Sequence, residues 1–212
     1  MFGLIKKDLL LIKGNFKSII IVCVIFFVMN LNGIQNITYF LPLMCVMIGL
    51  TTFSYDEYNK WDAYAISLPN GRKNCVRSKY ISTFILILIG VILSLFATLF
   101  VSFIKNVYIN YEEMLALTIA GIVVTALLIS IIYPLIYKYG IEKARIMLFV
   151  FVFLISSIVG IVFSKLNLDI SKYNYLFNFI QNFWYIIIPI LLIFIVTSSY
   201  LISDKIYSKK EF

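Results

Sequence analysis

The chain has 212 residues, of which 62% are hydrophobic and 13% charged, with a formal net charge of +8 and a mean hydropathy of +1.00. A soluble domain with a polar surface does not carry that balance, so composition points to an all-α integral membrane protein with most of its mass in the bilayer. The charge lies in short segments between apolar runs, where it sets membrane orientation and attracts anionic headgroups, and this placement argues against nucleic-acid binding.

The first element expected is an interfacial amphipathic helix over 1–16. At helical spacing Lys6, Lys13 and Lys17 share one face, and Phe2, Ile5, Leu9, Ile12 and Phe16 share the other. The stretch is too interrupted by charge to span. Lys7 and Asp8 belong to its charged set, but Asp8 falls toward the apolar side. There it either pairs with a basic group of a neighbouring element or reaches headgroup water. No small-residue cleavage site follows, so the first apolar run is expected to stay in the mature chain.

Between Ser18 and Tyr55 there is no charged residue, and Asn30, Asn32, Gly33, Gln35 and Asn36 interrupt the run near its middle. Two spans joined by a tight polar turn are expected, near 17–31 and 37–54. A polar segment follows over 55–79, reading Tyr55-Asp56-Glu57-Tyr58-Asn59-Lys60-Trp61-Asp62, then Ser67-Leu68-Pro69-Asn70-Gly71-Arg72-Lys73, then Arg77-Ser78-Lys79. Trp61 and Tyr64 suit the headgroup level, Leu68-Pro69 marks a break, and Asn70-Gly71 turns or caps the chain. Arg72 to Tyr80 then leads as a basic helix into the third span. That layout suits a short helix across the membrane face that docks on a partner; an ordinary positive-inside loop would have the same composition.

Further spans are expected near 80–104 and 113–137, separated by Lys105, Asn106, Asn110, Glu112 and Glu113. A basic turn with Lys138, Gly140, Glu142, Lys143 and Arg145 leads to a fifth span near 146–164. An external amphipathic segment over 165–182 precedes a sixth near 183–203. The aromatics and amides of 173–185, among them Tyr175, Phe179 and Trp184, suit an interfacial or re-entrant helix or an aromatic belt.

With six spans, Lys6, Lys7, Lys13, Lys17, Lys60, Arg72, Lys73, Arg77, Lys79, Lys138, Lys143, Arg145, Lys205, Lys209 and Lys210 fall on one side. Only Lys105, Lys165 and Lys172 fall on the other. The positive-inside rule then places both termini and the 55–79 segment in the cytoplasm.

No histidine occurs, which removes the commonest metal ligand and the usual general base near neutral pH. No phosphate-binding loop of the Gly-x-x-x-x-Gly-Lys-Ser/Thr type is present. Asp56-Glu57 and Glu112-Glu113 are adjacent pairs that point about 100° apart on a helix, so neither forms an acid–base dyad. The expected span cores hold no Asp, Glu, Lys or Arg, whereas ion-coupled carriers and voltage-gated channels keep such groups at bilayer depth. Cys23, Cys45 and Cys75 lack the paired, loop-borne pattern of a disulfide framework and read as thiols.

Glu57, Lys60-Trp61-Asp62, Ser67-Leu68-Pro69, Arg72-Lys73, Val76 and Ser78-Lys79-Tyr80, placed after two short spans, resemble the cytoplasmic segment of small bacterial ABC transporter permeases of the type-2 (ABC-2) exporter class. Leu4-Ile5-Lys6-Lys7-Asp8-Leu9 resembles their N-terminal interfacial helix. Within the class the chain looks most like the permeases of phenol-soluble-modulin and antimicrobial-peptide exporters. The resemblance implies that 55–79 holds a coupling helix seated in a cleft of an ATPase subunit, with Glu57, Trp61, Leu68, Pro69, Arg72, Lys73 and Lys79 at that contact. Asn70-Gly71 departs from the small or hydroxyl residues expected after the proline. The resemblance also implies an outer gate around Tyr175, Phe179 and Trp184.

The expected function is thus the membrane subunit of an ATP-driven exporter in the bacterial cytoplasmic membrane, with amphipathic peptides or lipophilic drugs as cargo. Two cytoplasmic ATPase subunits, carrying ATP and magnesium, would supply the energy, and a second permease, identical or related, would complete the passage. This chain itself would be no enzyme and hold no cofactor. The alternatives are a membrane interaction or immunity protein without transport activity, and an ion-coupled secondary carrier.

Overall fold

The computed structural model describes residues 2–14, 17, 20, 21, 24, 37–67, 71–106, 108, 110–165 and 174–210. Among these residues the regular structure is all helical. The helices are α1 (Phe2–Gly14), α2 (Ile37–Tyr58), α3 (Trp61–Ile66), α4 (Gly71–Lys105), α5 (Tyr111–Tyr139), α6 (Ile141–Lys165) and α7 (Asn174–Ser208). Among the described residues, three segments are long and apolar enough to cross a membrane: Gly71–Ile104, Tyr111–Tyr139 and Ile187–Ser208. At 34 residues the first is about 51 Å long, so it extends well beyond a hydrocarbon core of about 30 Å. The run expected near 17–31 falls largely outside the described residues.

Besides the earlier start of α6 at Ile141 in place of about 146, helix boundaries differ from the sequence expectations at three places. α2 continues to Tyr58, so Asp56 and Glu57 lie on its last turn, and α4 begins at Gly71, ahead of the expected start near 80. Arg72 and Lys73 therefore sit on the first turn of α4, where the macrodipole disfavours cations. Arg72 offsets this by donating to the Ser208 carbonyl at the C-terminus of α7, 2.5 Å away, where the same dipole favours positive charge. Third, the aromatic stretch from Asn174 is continuous with the last apolar run in the single helix α7.

α4 packs against α2, α1 and α7, and α5 against α7, α2 and α6. Within a bilayer, close approach of helices rests on small residues and interhelical polar contacts. Gly90 on α4 lies so close to α2 that a Cβ there would be 2.7 Å from the Pro42 Cα, and one at Gly49 would be 2.8 Å from the Leu86 Cδ1. The core gathers where α2, α4, α5 and α7 meet, around Val46, Leu50, Phe53, Val76, Tyr133, Tyr137 and Tyr207. Its rings meet edge to face: Phe53 with Tyr133 at 5.0 Å, Tyr80 with Tyr133 at 4.9 Å, and Tyr137 with Tyr207 at 5.1 Å. Hydroxyls join the same helices, with Thr83 bonded to Tyr133, and Tyr80 within 2.8 Å of Ser199 and 3.0 Å of Ser203.

Two turns set the end of the bundle that carries α3. Lys60 takes a left-handed φ of 48° and lets the chain double back from α2 into α3. Gly140, at φ 84°, is the single residue between α5 and α6, and a Cβ there would press on the Glu57 carboxylate at 3.0 Å.

Candidate functional site: a charged cluster beneath a short helix

Four charges from three helices converge at this end. The Lys79 ammonium of α4 lies 2.9 Å from Asp8 Oδ1, 2.6 Å from Asp56 Oδ2 and 2.9 Å from Thr52 Oγ1. These three acceptors use all three of its N–H donors. Lys7 Nζ lies 2.5 Å from Asp56 Oδ1 and 3.5 Å from Asp8. Side-chain exposure is 8% for Lys79, 1% for Asp8 and 13% for Asp56, so the cluster is a buried, charge-balanced clamp of α1, α2 and α4. Asp8 thus pairs with a neighbouring element, the first of its two open alternatives. On α1 it shares the inward face with Leu4 and Ile12, spaced four residues apart.

The cluster reaches α3 through a cation–π contact, with Lys7 Nζ 4.2 Å from the centre of the Trp61 ring. Six residues are too few to hold a helix by propensity alone, and α3 is held from three other elements. Trp61 lies under Lys7 of α1, Asp62 accepts from the Tyr207 hydroxyl of α7 at 2.9 Å, and Ala65 is wholly buried in the core. A displacement of α3 therefore pulls on α1 and α7 directly, and on α2 and α4 through the ion pairs.

The residues singled out from sequence divide by environment. Glu57 accepts from the backbone N–H of Ile141 at 3.0 Å and so caps the start of α6. Lys6, Lys13 and Lys73 are exposed, Arg72 and Trp61 half-buried, and Lys79 buried with its charge turned inward to the cluster. Leu68 and Pro69 lie outside the described residues. Tyr175, Phe179 and Trp184 fall on α7, and their side chains lie outside the described set. Sequence reasoning passed over Thr52 and Tyr207, quoted Asp62 only within the polar segment and the resemblance, and gave Asp56 no partner. The signal available was an acidic residue at the end of an otherwise uncharged run, opposite a lysine at the start of the next.

Beside the cluster lies a cavity of about 90 Å³, whose walls include Lys7, Asp56, Trp61, Asp62, Tyr137 and Tyr207. Cys75 also lines it, and it and Cys45 are buried thiols. No group of three or more His, Cys, Asp or Glu side chains converges among the described residues in a way that could hold a metal ion. What the site supplies is mechanical linkage, since its carboxylates are held by cations, a hydroxyl or a helix N-terminus.

Residues 3–208 match the family described as ABC-2 family transporter protein. The chain belongs to the ABC-2 transporter family. No curated protein and no solved structure matches it. An ABC-2 transporter chain is a membrane protein and works with an ABC ATPase, so membership supplies the class of partner. In this ABC-2 chain, α3 and the charged cluster beneath it tie α1, α2, α4 and α7 together at one end of the bundle.

Proposed function

We propose that this ABC-2 chain is the transmembrane subunit of an ATP-driven exporter and that α3, with Glu57 to Lys73 around it, is its coupling element. The observation that carries the reading is the attachment of α3 to α1 through Trp61, to α7 through Asp62 and to the core through Ala65. A two-turn helix tied to three parts of a bundle transmits a push at its exposed side to all of them. ATP and magnesium belong to a separate ATPase chain on the cytoplasmic side, in two copies, and this chain catalyses no hydrolysis. Six spans with both termini in the bacterial cytoplasm give half of the usual passage, so a second permease, identical or related, completes it.

The cargo class follows from the same chemistry. The apolar runs lack charge at bilayer depth, and the buried charges at the α3 end neutralise one another, which leaves little to bind a small ion. Amphipathic peptides and lipophilic drugs fit an uncharged passage, and the resemblance to phenol-soluble-modulin and antimicrobial-peptide permeases points the same way. Tyr175, Phe179 and Trp184, at the far end of α7, form the outer gate.

The test uses Lys73, which is exposed on the first turn of α4. Full-length protein purified with its ATPase is reconstituted in liposomes, and ATP turnover is measured for wild type and Lys73→Glu. A fall of about tenfold in turnover by the assembled complex, with unchanged thermal stability of the permease, is the expected result; about 1.4 kcal/mol lost at the contact gives that ratio. Turnover equal to wild type removes this turn of α4 from the coupling contact. Transport driven by an ion gradient without ATP sinks the exporter reading altogether.

A further inference from the structure

The walls of the cavity beside α3 carry three cations, Lys7, Lys79 and Lys210, and three carboxylates, Asp56, Glu57 and Asp62. Each carboxylate has a partner: Asp56 the two lysines of the cluster, Glu57 the Ile141 N–H, and Asp62 the Tyr207 hydroxyl. Two wall groups do not. The indole Nε1–H of Trp61 and the hydroxyl of Tyr137 are buried and have no hydrogen-bond partner among the described residues, and Tyr137 as a whole is only 7% exposed. An indole N–H can only donate, so its missing partner is an acceptor. Leaving such donors buried and unpaired costs about 1–3 kcal/mol each, which selects for something that satisfies them.

We infer that this cavity is a socket for one uncharged acceptor side chain, an asparagine or glutamine carboxamide, contributed by the cytoplasmic ATPase subunit. The equal number of wall cations and anions favours a neutral occupant over a phosphate or a carboxylate. At about 90 Å³ the space is about three times the share of one liquid water, room for the three heavy atoms of a carboxamide. Its oxygen accepts from Trp61 and Tyr137. Next to the wall, Tyr64 is 56% exposed with its ring 5.0 Å from Trp61. Tryptophan and tyrosine in a desolvated pocket are the residues in which protein-binding hot spots are enriched. The contact is thereby reciprocal: α3 seats on the ATPase, and the ATPase inserts a side chain under α3. Force applied to that side chain bears on Trp61 and Tyr137, and through them on α1 and the core.

The inference rests on the exporter reading, and the experiment separates the two. Full-length permease is purified with its ATPase, and affinity is measured for wild type, for Tyr137→Phe, which loses only its hydroxyl, and for Trp61→Phe, which loses the N–H together with part of the ring system. Each is expected to weaken ATPase binding about tenfold, with the Tyr137→Phe permease alone melting no lower than wild type, since it loses a buried hydroxyl that has no partner. A photo-reactive phenylalanine at position 64, outside the socket, is expected to attach to an ATPase peptide that contains an asparagine or glutamine. Affinity equal to wild type in both variants overturns the socket and assigns the cavity to water. Attachment to phospholipid in place of the ATPase overturns it in favour of a headgroup site. If wild-type permease binds no ATPase, the exporter reading itself fails.

Discussion

Lys79 shows how much one side chain can be asked to hold. Its ammonium is bonded to Asp8, Asp56 and Thr52 and stands 4.7 Å from the centre of the Phe53 ring, so α1, α2 and α4 all meet at one nitrogen. Burying such a group has a large desolvation cost, and the geometry is good enough to offset it only while every partner is present. Removing Asp8 leaves the cluster with a net positive charge in a dry site, and Asp8→Ala is expected to destabilise the protein by about 3–5 kcal/mol. Thermal unfolding in detergent measures this, and the exchange Asp8→Lys with Lys79→Asp should recover at least half of the loss. A double mutant no better than the single one would mean that the surroundings, and not the pair, set the cost. At the neighbouring carboxylate the expected effect is smaller and local. Glu57→Ala frees the Ile141 N–H and should cost about 1 kcal/mol, seen as faster amide exchange at the start of α6.

At the scale of elements, the crossing of α2 and α4 is fixed by contact between backbones. A methyl added at Gly90 meets the Pro42 Cα, an atom with no rotamer to escape into, so the helices must separate. Gly90→Ala is expected to destabilise by about 1–3 kcal/mol as an overpacked contact. Gly3→Ala, where nothing lies within 4 Å, should be close to neutral. Equal melting temperatures for the two variants would show that α2 yields at Pro42. For α3 the lesson differs. A six-residue helix takes its order from Lys7, Tyr207 and the pocket around Ala65, so mutations on α1 and α7 should be felt at α3 without touching it.

Across the whole molecule the charge asymmetry and the structure meet in one arrangement. Tyr58 precedes the short segment into α4, and Tyr108 follows its far end, with a helix of 35 residues, about 52 Å long, between them. Both tyrosines are strongly exposed. With the native cysteines replaced by serine, Tyr58→Cys should be labelled by an impermeant thiol reagent only in inside-out vesicles, and Tyr108→Cys only in intact cells. Labelling of both from one side would reverse the orientation argued from the basic residues and remove α3 from the ATPase. Thr83 and Tyr133, and Tyr80 with Ser199 and Ser203, join α4 to α5 and α7 just beyond the cluster. These bonds add polar contacts between α4, α5 and α7 to those of the cluster.

The apolar composition, the long uncharged runs and the placement of lysine decide by themselves that the chain is a helical membrane protein, because in hydrocarbon a backbone has to satisfy its own hydrogen bonds. The motif around Trp61 and Pro69 likewise carries the resemblance to ABC-2 permeases without coordinates. Periodicity even marked Asp8 as out of place on its helix. It could not name Lys79 as the group that holds it, nor Asp56 as the second carboxylate on that ammonium, since they lie 71 and 48 positions away and are joined only by the packing of three helices. The same limit hid the roles of Asp62, Tyr207 and Tyr137. Whether a polar side chain is solvated, paired or left waiting for a partner depends on which helices close over it, and that is decided by tertiary contact.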